Sequence, residues 1–358
     1  MAVLSFIRAC SLLLLRLYLL LLAFSVVVKG QPLVPAIFLF GDSVVDVGNN
    51  NDLHTVVKSD FPPYGRDFVD SRPTGRFCNG KLATDFTAES LGFSSYQPAY
   101  LSDEATGTNL LTGANFASAS TGYYEGTAEL YNTIPLSQQL GFFKEYQQKL
   151  EVIAGISNAS STITGGIYLI SAGSSDFLQN YYINPLLYEL YSPNEFAGIL
   201  LQFFSDFVTD LYNVGARKIG VTSLPPLGCL PGAITLFGHG SNECVDRLNE
   251  DAVAFNNKLN ATSQQLQQQL SNLTLVVFDI YQPLHDLATK PQDNGFAEAR
   301  RACCGTGLGE ISFLCNDESP GTCRNATEYV FWDGFHPSEA ANKILSNDLL
   351  AAGISLIS

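Results

Sequence analysis

Positive charge is scarce in this chain. Its 358 residues hold 19 Lys and Arg against 34 Asp and Glu, a formal net charge of −15 at pH 7. A surface this acidic repels nucleic acid and anionic membrane, and no Lys/Arg cluster interleaved with aromatics argues otherwise. Phosphate-cradling motifs are missing as well. No G-x-x-x-x-G-K-[ST] occurs, and no G-x-G-x-x-G follows a strand-like run. There is no C-x2-C pair, so a zinc site lacks its usual ligand spacing. The nucleophile elbow G-x-S-x-G has no copy here. Histidine is limited to four positions, His54, His239, His285 and His336, so a general base has few places to be.

Long apolar runs are confined to the beginning. Residues 1–30 contain no acid, carry Arg8 near the start and run apolar from Leu17 to Val28. Small residues follow at Val28-Lys29-Gly30, as signal peptidase requires. This predicts a secretory signal peptide over 1–30 and a single mature domain over 31–358. A retained signal anchor is the alternative. Arg16 interrupts the run, however, and leaves too few residues to span. Removing Arg8, Arg16 and Lys29 with the leader deepens the formal charge from −15 to −18. No composition break, repeat or low-complexity tract marks a second domain.

Cysteine usage agrees with an oxidising compartment. Cys10 lies in the leader, and six of the remaining seven fall into two local groups. Cys229 with Cys244 is the favoured pair. Cys303, Cys304, Cys315 and Cys323 can pair among themselves in three ways, which the sequence leaves open, and Cys78 is left over. N-x-S/T sequons at Asn158, Asn260, Asn272 and Asn325 point to a glycosylated, extracellular or cell-wall protein.

Five apolar runs predict buried strands: "PAIFLF" (35–40), "GANFASA" (113–119), "GIYLISAG" (166–173), "RKIGVTSL" (217–224) and "LTLVVFDIY" (273–281). Continuous rather than alternating apolarity predicts strands covered on both faces, as in a parallel sheet. Between them the period changes. Phe196, Leu200, Phe203, Phe207 and Leu211 mark one face of a helix over 193–212, and further helices are predicted over 245–270 and 338–350. Alternating strands and helices give a doubly wound α/β sheet, whose ligands bind at the carboxyl ends of the strands. Those ends carry Gly41-Asp42-Ser43, Ser118 to Gly122, Gly173 to Asp176, and Ser223 to Gly228.

Ser43 ends a strand-like run ahead of a predicted helix. It is either a helix cap or a nucleophile whose oxyanion faces the helix N-terminus. A base and an orienting acid come late in the chain. In "FWDGFHPSEAANK", Asp333 stands three residues before His336, close enough to fold back on the imidazole. The plainer reading makes Asp333 a turn cap and His336 a surface residue. Taken together, a strand-end Ser, small polar strand-end loops and Asp-x-x-His make a complete acyl-transfer set.

These stretches resemble the GDSL esterase/lipases of the secreted plant type, within the SGNH hydrolase superfamily. "FGDSVVDVGNN" is similar to that family's first block, "GANFASAS" to the second, "SAGSSDF" to the third and "WDGFHPSEAAN" to the fifth. "PPLGCLP" and "RACCG" are further stretches of the plant group. The resemblance covers roughly residues 34–355. It implies a flavodoxin-like α/β sandwich on a mostly parallel five-stranded sheet. It also implies hydrolysis of carboxylic esters (lipid, cutin-type or acetylated polysaccharide) with no metal, no cofactor and no stable membrane anchor. Ser43 becomes the nucleophile, Asp333 the orienting acid and His336 the base. The Ser43 N–H and a second-block glycine, Gly113 or Gly122, form the oxyanion hole. The family's third block usually reads G-x-N-D, its Asn donating to the oxyanion; here Ser175 stands at that position. On the same residues the acyl acceptor can be an alcohol, giving a transacylase. Weak turnover at Ser175 would instead leave a wall- or lipid-binding protein.

Overall fold

Five parallel strands form the sheet of this computed structural model, which describes residues 31–357. The expected signal peptide over 1–30 lies outside the described residues. The strands are β1 (Ile37–Gly41), β2 (Gly113–Asn115), β3 (Ile167–Ser171), β4 (Lys218–Thr222) and β5 (Thr274–Phe278), in the order β2-β1-β3-β4-β5. That is the flavodoxin-like order, and it places a topological switch point between β1 and β3. The register aligns Ile37 with both Gly113 and Ile167, so the carboxyl ends of β1 and β3 lie side by side.

The apolar runs become strands because both faces are covered. Phe38 and Phe40 point one way, against Phe143 and Tyr146 of α1 (Leu136–Ala154) and Phe207 of α2 (Pro193–Asn213). Ile37 and Leu39 point the other way, into a cluster with Ala88, Leu91 and Leu356. A fully buried Phe contributes roughly 1.5–3 kcal/mol by leaving water, so this alternation fixes the register of the central strand. The helix predicted from the 193–212 periodicity runs Pro193–Asn213. Ser192 and Glu195 form a capping box at its start, with Pro193 in the first turn. The other two predicted helices form as Asp246–Gln269 and Glu339–Ala352.

"GANFASA" is a strand only over its first three residues. Asn115 ends it. Its side chain donates to Val45 O at 2.6 Å and accepts Ala117 N–H at 3.0 Å, turning the chain over the end of β1. Gly41, the last residue of β1, has φ +129°, and any side chain there would overlap the Ser171 carbonyl. Gln139 of α1 brackets it, accepting Gly41 N–H at 2.9 Å and donating to Gly41 O at 3.0 Å. The sharp exit from β1 therefore requires glycine.

Cys229 pairs with Cys244, as favoured. The second group pairs Cys303 with Cys323 and Cys304 with Cys315, which uses all four thiols. Cys78 is free and buried, and burial pushes its thiol up, away from the reactive thiolate. The asparagines of all four sequons, Asn158, Asn260, Asn272 and Asn325, are exposed. Among the described residues no helix is long and apolar enough to cross a membrane.

Candidate active site

Ser43 lies in a tight turn, not at the start of a helix. Val45 N–H and Asp46 N–H both donate to Asp42 O, at 3.2 and 3.0 Å, and Val44 N–H donates to Asp42 Oδ1 at 3.1 Å. Asp46 then accepts Gly48 N–H (2.8 Å), Asn49 N–H (2.9 Å) and, from the loop after β2, Ala119 N–H (3.0 Å). These carboxylates take the N–H groups that a helix would pair with its own carbonyls. No helix forms between Ser43 and Val69, so the expected helix dipole contributes nothing. The Ser43 N–H itself has no acceptor within the described protein.

The late Asp-x-x-His folds back as its spacing predicts. Trp332 N–H donates to His336 O at 2.8 Å, closing a loop just ahead of the last long helix. Within it, Asp333 Oδ1 accepts the N–H groups of Phe335 and His336, both at 2.9 Å. His336 Nδ1 lies 2.7 and 2.9 Å from the two Asp333 oxygens, and Nε2 lies 2.7 Å from Ser43 Oγ. A carboxylate only accepts, so Nδ1 donates to it; in the neutral ring Nε2 is then free to accept the Ser43 hydroxyl proton. All three side chains are buried, with Ser43 the least so at 7% exposed. His54 and His239 are exposed, and His285 stacks on Tyr281; none of these borders the Ser43 cavity.

That cavity, about 30 Å³, is bordered by Ser43, His336 and Asp42. Leu178, Leu230 and Phe335 give it apolar walls, while Ser175 and Gln179 add polar groups. Among the described residues the Ser175 hydroxyl, on a side chain 4% exposed, meets no hydrogen-bond partner, and the Gln179 side-chain carbonyl is buried without one. Both belong to the segment after β3, where a turn of π-helix spans Asp176–Tyr181. Such turns are rare and concentrate at functional sites. Leu178 and Gln179 carry no sequence signal of their own, whereas Phe335 stands between Asp333 and His336 in the "WDGFHPSEAAN" stretch. Leu230 likewise falls within the "PPLGCLP" stretch.

The two second-block glycines are placed differently. Gly113 opens β2 opposite Ile37, at the amino end of the sheet. At about 3.3 Å per residue it is more than 10 Å from the end of β1, so the oxyanion role expected for it does not fit. Gly122 lies in the loop after β2, packed so tightly on the Asp176 carboxylate that a side chain would overlap it. It does not border the cavity. Asp176 holds this loop by accepting Tyr123 N–H (2.7 Å), Tyr124 N–H (3.3 Å) and the Thr127 hydroxyl (2.6 Å).

Three buried carboxyls thus surround the end of β1. Burial pushes Asp42 up to about 7, Asp46 to about 6 and Asp176 to about 7, against the hydrogen bonds they accept. A carboxyl raised in the folded state keeps a proton that the unfolded chain has lost. Its cost to stability therefore grows as pH rises from about 4 to about 7 and is complete above that. Asp42 accepts a single backbone N–H through its side chain, faces the neighbouring Asp46, and is offset by His336. Asp42→Asn is expected to stabilise the fold by about 4 kcal/mol at pH 8 and by only a small fraction of that at pH 4. Thermal melts at the two pH values check this; an equal gain at both would rule out the carboxyl as the cause.

A serine, an imidazole and a carboxylate lie in one hydrogen-bonded line at the switch point of a parallel sheet, a geometry able to carry acyl transfer. Residues 37–349 match the GDSL-like lipase/acylhydrolase family, and the chain belongs to that family. It is 67% identical over 336 residues to GDSL esterase/lipase At5g22810 of Arabidopsis thaliana, covering 93% of each chain. It is 61% identical over 326 residues to GDSL esterase/lipase APG of the same plant, covering 91% of this chain and 92% of that one. The protein is a carboxylic ester hydrolase.

Proposed function

We propose that the protein is a secreted serine esterase in which Ser43 attacks the ester carbonyl, His336 takes its proton and Asp333 orients the imidazole. The observation that carries this reading is the pair of contacts at His336, 2.7 Å to Ser43 Oγ and 2.7 Å to Asp333 Oδ1. Attack pushes the carbonyl electrons onto oxygen. The unpartnered Ser43 N–H and the Ser175 hydroxyl are the donors available to that oxyanion. His336 then returns the proton to the leaving alcohol, and water repeats the sequence to release the acid. The apolar walls at Leu178, Leu230 and Phe335 suit the acyl side of the ester. The polar Gln179 suits an alcohol side that carries hydroxyls, as glycerol, cutin or sugar esters do. Secretion through the 1–30 leader, with glycans on the exposed sequons, agrees with the three disulfides.

A fluorophosphonate probe tests the assignment. It is expected to label the wild-type chain covalently and to leave Ser43→Ala unlabelled. Equal labelling of the two would remove Ser43 from the reaction.

A further inference from the structure

The geometry points to Tyr64 as a positioning residue for the acid of the triad, itself held in place by the loop that the Cys304–Cys315 disulfide closes. Tyr64 lies 269 residues from Asp333 in sequence, yet its hydroxyl donates to Asp333 Oδ2 at 2.8 Å. The Tyr64 hydroxyl oxygen in turn accepts Ser312 N–H at 2.8 Å. A backbone N–H can only donate, so the phenol proton has one direction left, toward the carboxylate. The phenol is 1% exposed, so no water competes for it. Phe61, Phe77 and Trp332 pack edge-on around its ring, with centroids 5.8 to 6.1 Å away.

The far end of this relay is equally fixed. Ser312 lies inside the Cys304–Cys315 loop and adopts φ +52°, which few serines do. Its hydroxyl lies 2.7 Å from the carbonyls of both Val56 and Lys58 and accepts Lys58 N–H at 2.8 Å. The disulfide cluster also backs the Asp333 loop directly, since Cys304 N–H donates to Trp332 O at 2.8 Å. Asp333 Oδ1 is anchored by its own loop's N–H groups, whereas among the described residues Oδ2 has only Tyr64 besides the imidazole. Without the phenol the carboxylate can rotate about its Cβ–Cγ bond and leave His336 misaligned. A misplacement of this kind lowers turnover without touching substrate binding.

This inference rests on Asp333 acting as the orienting acid, and Tyr64→Phe tests it because the ring packing is kept. In the full-length protein, kcat on p-nitrophenyl acetate is expected to fall about 10- to 100-fold, with KM within twofold. In an Asp333→Asn background the same change should cost nothing further, because the group it positions is gone. Converting both Cys304 and Cys315 to Ser should lower kcat in the same way, and Tyr64→Phe should then add less than it does alone. Unchanged kcat in a folded Tyr64→Phe protein would overturn the proposal. So would an equal loss in the Asp333→Asn background, which marks general damage to the fold. Fluorophosphonate labelling that depends on Ser43, combined with either result, would leave the esterase reading standing and remove only the relay.

Discussion

Asp333→Asn is expected to lower kcat about 10,000-fold on simple esters while KM stays within a few-fold. The size of the effect follows from how the carboxylate is surrounded. Four donors converge on its two oxygens: Phe335 N–H, His336 N–H, His336 Nδ1–H and the Tyr64 hydroxyl. An amide would put an NH2 group where one of those oxygens accepts. Facing Oδ1, that NH2 meets two backbone N–H groups; facing Oδ2, it meets the phenol, whose proton has no other acceptor. In either orientation one side of the amide presents donors to a ring nitrogen held 2.7 to 2.9 Å away. The imidazole escapes by moving its proton to Nε2, and Nε2 can then no longer accept from Ser43. Little bulk changes at the substrate side, so binding is spared and the loss falls on kcat. Combining Asp333→Asn with His336→Ala should cost little more than His336→Ala alone, because the residues act as a unit. Steady-state kinetics on p-nitrophenyl acetate checks both statements. A loss of less than tenfold for Asp333→Asn would mean that some other group orients the ring.

Two kinds of signal made much of this legible in the sequence. The strands announced themselves because each is covered on both faces, so that Ile37 to Phe40 had to be apolar without a break. Asp333 and His336 were legible because their interaction is local: a three-residue spacing folds the carboxylate back through its own backbone N–H bonds. The errors arose where long-range polar contacts overrode local pattern. Residues 42–50 look like the start of a helix, but Asp42 and Asp46 take the N–H groups. Asn49 also reaches across to donate to Asn115 O and Ala117 O at 2.9 and 2.7 Å. The conspicuous polar residues Asp46 and Asn49 of "GDSVVDVGNN" therefore fasten the β1 exit to the loop after β2, while Asp42 and Ser43 border the cavity with His336. Gly113 was placed by block position, and strand register moved it to the wrong end of the sheet. Tyr64 gave no signal at all, since nothing in "FPPYGRDF" indicates that its phenol meets a carboxylate 269 residues later.

Ser175→Asn is expected to raise kcat/KM on p-nitrophenyl acetate by roughly tenfold or more. Loss of one oxyanion donor typically costs 100- to 1000-fold, and a serine in place of an amide is a partial loss. Ser175 borders the cavity beside Ser43 and His336, at the mouth of the π-helical turn, and its hydroxyl is unpartnered. A hydroxyl carries one proton on a short arm and can spend it on water. An Asn side chain reaches one atom further, presents two N–H donors and loses less of its reach to rotation. The substitution does not disturb Asp176, whose three bonds to the Tyr123–Thr127 segment hold the neighbouring backbone in place. The gain should appear in kcat rather than KM, because the extra donor meets charge that exists only in the transition state. It should vanish in the Ser43→Ala background, where no oxyanion forms by this route. Unchanged or lower turnover in a folded Ser175→Asn protein would mean that the hydroxyl already completes the hole. The cavity would then be shaped for an ester whose oxyanion lies nearer Ser175 than an amide can sit.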